Sequence, residues 1–255
     1  EAPAPMSALL SGVIISAGAY AILRISLWAV LPAAVASFGD QFLRSLAILG
    51  VVSAFFGSLI ALVENDVKRI IAYSSISHMG YVLFGLSMFP HVEAIIGAVL
   101  HLVNHAISKG LFFLSAGSLM RQLEIRDIRE MGGLANKMPI TAIAGSTAAL
   151  SIAGMPVFAC FISEFIMFIG AFKVIGDDGF YVLPTILMLI ATVLSLAYAL
   201  RYITRIFLGR AKTGEVKEAP LLMRVAMLIL VAIVISLGIW PSFLVELIAT
   251  AILPP

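Results

Sequence analysis

The chain has 255 residues, 62% of them hydrophobic and only 12% charged, with a formal net charge of +2. That composition lies far outside the range of soluble domains, and apolar runs recur along its whole length, so a soluble fold is excluded. Short alternating segments of the barrel type are absent, which leaves an all-α polytopic transmembrane helical bundle.

In chain order, the apolar pattern predicts about seven membrane segments. They run Pro5–Val30, Ser45–Val63, Ile70–Met88, Val92–Ser118, Pro139–Phe172, Phe180–Phe207 and Leu221–Ile239, and a short apolar tail follows Trp240 and Pro241. No linker or soluble portion interrupts them, so residues 1–255 are expected to form a single membrane domain. The pattern is already under way at Glu1, and Met6 follows no basic region. A processed chain, or a piece of a longer polypeptide, is therefore expected rather than a cleavable signal. The single cysteine, Cys160, excludes an internal disulfide.

Orientation follows from Lys and Arg. One set of loops carries Lys68 and Arg69, then Arg121, Arg126, Arg129 and Lys137, then Arg201, Arg205, Arg210, Lys212, Lys217 and Arg224. The opposite set carries Arg24, Arg44 and Lys173, with Asp177 and Asp178. The basic loops are expected to face the cytoplasm, which puts Glu1 on that side and the C-terminus outside.

Three segments carry chemistry. The third holds the polar cluster AYSSISHMGY, in which His78 lies about two and a half turns into the membrane from Lys68. The fourth holds His101, Asn104, His105, Ser108 and Lys109. At about 100° per residue these five fall within roughly 140° of one helical face. A membrane helix that gives a whole face to polar groups must turn it toward protein or water, and ionisable groups there mark a functional site. The fifth segment is too long for one straight span, because its 34 residues would reach ~51 Å against a core of ~30 Å. Its centre, SIAGMPVFACF, contains Gly154 and Pro156, and proline cannot continue a helix without losing a donor and clashing with the preceding turn. A discontinuous helix is predicted there, with Glu164 about two turns beyond the break; such breaks are used for ion sites in transporters.

Rival readings of these residues differ in weight. His101 and His105 have the i, i+4 spacing of a zinc pair, but no HExxH glutamate follows and no cysteine is near, so no metal centre is expected. A bis-histidine haem would need a histidine on a second segment, and His78 alone offers one. No cysteine cluster or nucleotide-binding glycine loop is present, so no redox cofactor is expected in this chain. Serine and asparagine alone would suit a packing seam, whereas three ionisable groups on one face favour ion movement. Glu164 is either an interhelical hydrogen-bonder or a proton carrier.

The runs EAPAPMSALLSGVII, ENDVKRIIAYSSISHMGY and HLVNHAISKGLFFLSAG, followed by the GMP break and FISEF, resemble one family throughout. They are similar to the antiporter-like membrane subunits of respiratory complex I, the Mrp cation/proton antiporters and the energy-converting membrane-bound hydrogenases. The resemblance covers essentially the whole chain and implies two inverted repeats, each with one broken helix, of which this chain corresponds to the C-terminal half. It implies that Lys109 is the central proton carrier of that half. His78, His101 and His105 then line the polar axis, and Glu164 connects toward the outer side. Lys68 joins the pathway at its cytoplasmic foot. Many relatives carry a lysine where this chain has Ser16. Either Ser16 orders a water in its place, or the two half-channels are uncoupled.

The resulting expectation is a proton (or proton/sodium) translocating subunit of a redox-driven membrane complex or Mrp-type antiporter, with no redox centre of its own. Its partners are other membrane subunits, including a chain or segment that supplies the first repeat and packs on the polar face of the first helix. The alternatives are a transport-inactive subunit kept for assembly and a stand-alone secondary transporter.

Overall fold

A computed structural model of the chain describes residues 4–25, 39–210 and 214–252. The expected end of the first segment, 26–30, and Lys212 lie outside them. The described residues form helices and no strand. The first helix is built of α1 (Ala4–Leu9) and α2 (Ile15–Ile25), joined by a π-helical turn, Leu10–Ile14. Then follow α3 (Gly39–Val63), α4 (Val67–Leu86), α5 (Val92–Leu123), α6 (Pro139–Ile152), α7 (Ala159–Asp177), α8 (Val182–Ile206), α9 (Leu221–Ile239) and α10 (Ser242–Ile252).

Among the described residues, six helices are long and apolar enough to cross a membrane: Met6–Ile25, Gly39–Val63, Val92–Leu123, Ala159–Asp177, Gly179–Ile206 and Leu221–Ile239. The chain is a multi-pass membrane protein. The expected segment Ile70–Met88 is also a helix, α4, but it falls outside those six because it gives one face to Ser74, Ser75, Ser77 and His78. The tail beyond Pro241, which hydropathy marks only as apolar, is a helix whose Ile248 packs on Ile96 and Leu100 of α5.

Local chemistry sets the helix ends. Asp66 caps α4 by accepting from the backbone N–H groups of Lys68 (2.8 Å) and Arg69 (3.0 Å). Pro139 opens α6, where its missing N–H costs nothing. The carboxylate of Glu218 covers the same end, taking the Ile140 N–H at 2.8 Å and the Thr141 hydroxyl at 2.6 Å.

α5 is the axle of the bundle. Around its first half, α3, the far half of α4 and α7 pack Ala54, Tyr81, Phe84 and Met167 against its own Ala94 in one apolar cluster. Around its second half, α4, α6, α8 and α9 pack Ile70, Ala148, Tyr202 and Met227 against its own Phe112 in another. α3 and α4 cross in close contact: a Cβ on Gly50 would lie 2.7 Å from the Gly80 carbonyl, so only glycine permits this approach.

Charged groups gather at the two ends of the bundle. At one end Arg201 donates to the Glu64 carbonyl (2.5 Å) and the Asn65 side chain (2.7 Å). At the other, Arg44 pairs with Asp178 (3.0 Å), His91 with Asp177 (3.2 Å) and Lys173 with Glu93 (2.5 Å). The outward face of the first helix is apolar, with Leu9, Val13, Ile14 and Tyr20 exposed, while Ser11 is buried against the bundle. Ser11 is therefore covered by this chain itself, while Ser7 and Ser16 are half-buried.

Candidate functional site

The break in the long fifth segment is where local chemistry places it. α6 ends at Ile152 and α7 begins at Ala159. Between them Gly154 (φ 66°) and Val157 (φ 79°) both have left-handed backbone. A β-branched residue with positive φ is a genuine outlier, of the kind concentrated at functional sites. Glycine at 154 suits that backbone, and a Cβ there would displace the Glu164 carboxylate. Glu164 therefore folds back from the first turns of α7 across the gap.

The polar face of α5 divides its work. His101 Nδ1 lies 2.9 Å from the Ser163 hydroxyl, Asn104 donates to the Ala159 carbonyl (2.7 Å), and the Ser108 hydroxyl lies 2.8 Å from that of Ser151. These three residues grip both halves of the broken helix. Lys109 turns the other way, toward α4. Its Nζ donates to the Ile71 carbonyl (2.8 Å) and to the Ser74 hydroxyl. Lys109 is fully buried, and no carboxylate pairs with it among the described residues; Phe112 lies below it, 5.9 Å from Nζ to ring centroid.

His78, His101, His105, Lys109 and Glu164 are all buried and gathered about one line. His78 Nδ1 and His101 Nε2 lie 3.0 Å apart, and the Tyr81 ring stacks beside both imidazoles. Ligating atoms of His78, His101 and Glu164 all lie within 4.8 Å of one another. The His105 ring sits 5.5 Å from that of His78 and 6.3 Å from that of His101, centroid to centroid. Neither of its nitrogens has a protein hydrogen-bond partner. Spacing along one helix pairs His101 with His105, whereas in three dimensions its close neighbour is His78, on α4.

Two expected positions lie off this line. The Ser16 hydroxyl donates to the Gly12 carbonyl of its own helix at 2.8 Å. Lys68 lines a cleft of about 280 Å³ at the foot of α4, together with Ser7, Ser11, Arg69 and Ser75. At the floor of that cleft the hydroxyls of Ser11 and Ser75 meet at 2.5 Å, and Ser75 also donates to the Ile71 carbonyl at 3.1 Å. Ser11 and Ser75 thus join the cleft to the group that holds Lys109. Sequence reasoning passed over Ser11, Tyr198 and Ser163; the Ser11-Gly12 pair, small enough for close approach, is the one local sign of the first.

Residues 1–195 match the family described as NADH:quinone oxidoreductase/Mrp antiporter, transmembrane. The chain belongs to that family. Among relatives, NADH-quinone oxidoreductase subunit M of Rickettsia prowazekii is 32% identical over 245 residues, covering 95% of this chain and 48% of that protein. The Na(+)/H(+) antiporter subunit A1 of Staphylococcus epidermidis is 28% identical, covering 96% of this chain and 33% of that protein. Among solved structures, a chain of the membrane-bound sulfane sulfur reductase, an archaeal respiratory membrane complex, superposes with a TM-score of 0.86 at 28% identity. That match covers 98% of this chain and 49% of the other. A chain of the Mrp complex from a Dietzia species shares the fold, with a TM-score of 0.83 at 22% identity, covering 96% of this chain and 52% of that one. This antiporter-family chain thus spans about half the length of subunit M and a third of subunit A1.

Proposed function

We propose that this chain is the C-terminal half of an antiporter-like subunit, a single membrane domain that moves protons, or exchanges them for sodium, within a larger membrane complex. The observation that carries this reading is the buried polar line from the Lys68 cleft to the helix break. It runs through Ser11 and Ser75 to the Ile71 carbonyl, then Lys109, His105, His78 and His101, and ends at Glu164. A buried polar group without a partner costs about 1–3 kcal/mol, so the unpartnered nitrogens of His105 favour water between Lys109 and the His78–His101 pair.

Each link suits proton transfer. An ammonium offers three donors, and a neutral amine keeps two. Lys109 can therefore release a proton without giving up either the Ile71 or the Ser74 contact. Neutral imidazole donates at one nitrogen and accepts at the other, so the histidines relay a proton by exchanging tautomers. Glu164, beside the freed backbone of the break, is the acceptor at the far end. Of the two expectations for Ser16, its bond to Gly12 favours uncoupling of the half-channels at that position.

On this reading the Lys68 end is cytoplasmic and the Arg44–Asp178 end lies outside. The partners are other membrane subunits, a chain or segment supplying the first repeat, and the surrounding lipid. The complex is of the complex I, membrane-bound hydrogenase or Mrp type. Reconstitution of the assembled complex into vesicles, with internal pH and sodium followed during turnover, tests the proposal. Ion movement linked to turnover is expected. Turnover with no movement of either ion would return the chain to an assembly role.

A further inference from the structure

The pair His78 and His101 is organised beyond what a relay needs. The Ser163 hydroxyl donates to the Cys160 carbonyl at 2.8 Å, so toward His101 it acts as an acceptor. His101 therefore carries its proton on Nδ1, and the lone pair of Nε2 faces His78 Nδ1. The other nitrogen of His78, Nε2, lies 3.3 Å from the Tyr198 hydroxyl. Each imidazole thus has one nitrogen anchored to a hydroxyl on a different helix and the other directed at the same small space. A carboxylate oxygen of Glu164 lies within 4.8 Å of a ring nitrogen of each histidine. Two histidines oriented through their outer nitrogens, with a carboxylate completing the set, is how proteins hold first-row transition metals.

We propose that His78 Nδ1, His101 Nε2 and Glu164 form a site for a divalent transition metal of the zinc class, occupied when the proton between the two imidazoles shifts from Nδ1 to Nε2 of His78. Metal–nitrogen distances of 2.0–2.1 Å in a tetrahedral site set donor atoms about 3.3 Å apart. The two nitrogens, at 3.0 Å, need to part by only about 0.3 Å to meet that spacing. The carboxylate, already within 4.8 Å of a ring nitrogen of each histidine, reaches the site by a side-chain rotation over Gly154, where no Cβ stands in the way.

The protons balance. His101 keeps its Nδ1 proton on Ser163. The proton between the rings leaves Nδ1 of His78 and is replaced on Nε2, which then donates to Tyr198. Any proton on Glu164 goes to solvent. Three protein ligands leave a fourth position for water. The nitrogen-rich set favours zinc, cobalt or copper over magnesium or calcium, which take oxygen ligands.

Binding of the metal does not depend on the transport reading. Its consequence does: a filled site removes His78 and His101 from the relay and should stop ion movement. The test uses the assembled complex with Co²⁺ alone, then Zn²⁺ alone. Co²⁺ is expected to bind at one equivalent per copy of this chain, with the intense visible bands of a four-coordinate ion, and Zn²⁺ should displace it. His101→Gln or Glu164→Gln should abolish those bands. Ser163→Ala keeps every ligand but frees the His101 tautomer, and should weaken binding roughly tenfold. No Co²⁺ bands in the intact complex, or bands unchanged in correctly assembled His101→Gln and Ser163→Ala proteins, would overturn the site. Zn²⁺ should inhibit ion movement over the range in which it fills the site. Full transport at full occupancy would overturn the block. Binding through these residues in a complex that moves no ion at all would support the site and remove the transport reading.

Discussion

Lys109 Nζ donates to the carbonyl of Ile71 at 2.8 Å, and the same oxygen accepts the hydroxyls of Ser74 (2.9 Å) and Ser75 (3.1 Å). One backbone oxygen in α4 thus collects the buried amine of α5 and two serines, one of which reaches the cleft at Lys68. A carbonyl stays an acceptor whatever the charge on the amine. Lys109 is therefore held by groups that tolerate both of its protonation states.

Lys109→Ala should abolish ion movement in vesicles while assembly and any electron transfer by partner subunits persist. Lys109→Arg should also impair it severely, because arginine does not release its proton and its planar fork cannot reproduce the ammonium's contacts. Comparing transport with turnover at matched expression checks both. Normal transport by Lys109→Ala would leave the residue as a packing element.

Ser11 and Ser75 are both buried and meet at 2.5 Å. Removing Ser75 deprives the Ser11 hydroxyl of this partner, at a cost of about 1–3 kcal/mol, while Ser75 without Ser11 keeps its Ile71 bond and loses less; removing both costs less than the sum. Ser11→Ala, Ser75→Ala and the double variant should therefore give a positive coupling energy in thermal stability. Each single variant should also slow transport, if the cleft is the route inward. Strict additivity would show that the two hydroxyls do not interact.

Gly154→Ala should destabilise the chain by more than about 1 kcal/mol, since alanine at φ 66° is strained. The added methyl also displaces the Glu164 carboxylate. Transport should fall with stability, and Co²⁺ binding should weaken in the same variant. An alanine protein unchanged in all three would show that the break relaxes without consequence.

The clasp between α3 and the α7–α8 turn gives a pH signature. The Phe180 N–H (2.9 Å), with the Arg44 guanidinium, holds the Asp178 carboxyl below the usual carboxylate range. A carboxyl held low contributes stability above its unfolded value, near 3.9, and loses it as pH falls through the lower folded value. Asp178→Asn should therefore be less stable than the wild type at neutral pH, by a small margin because the pair is exposed, and the two should converge below pH ~4. Melting curves across that window check it, and a gap that widens toward low pH would contradict the sign.

The sequence by itself determined the helices, the break and the stripe, because each is written in local terms. Span length and hydropathy mark a membrane helix, Gly154 and Pro156 interrupt one, and 3.6-residue periodicity puts His101, His105 and Lys109 on one face. It even identified the buried set that lies along the line. What it left undecided are the pairings between helices. His101 reads locally as the partner of His105, yet the crossing of α4 over α5, close enough that a Cβ on Gly85 would lie 2.8 Å from that of Ala98, sets His78 against it instead. The first helix shows the same limit. Ser16 occupies the position that family resemblance marks, but a π-helical turn over Leu10–Ile14 shifts the helical register between the two serines. Ser11 then meets Ser75 and Ser16 bonds its own helix. Rotation of one helix about its axis relative to another is fixed by packing across the interface, and no periodicity within a single segment encodes it.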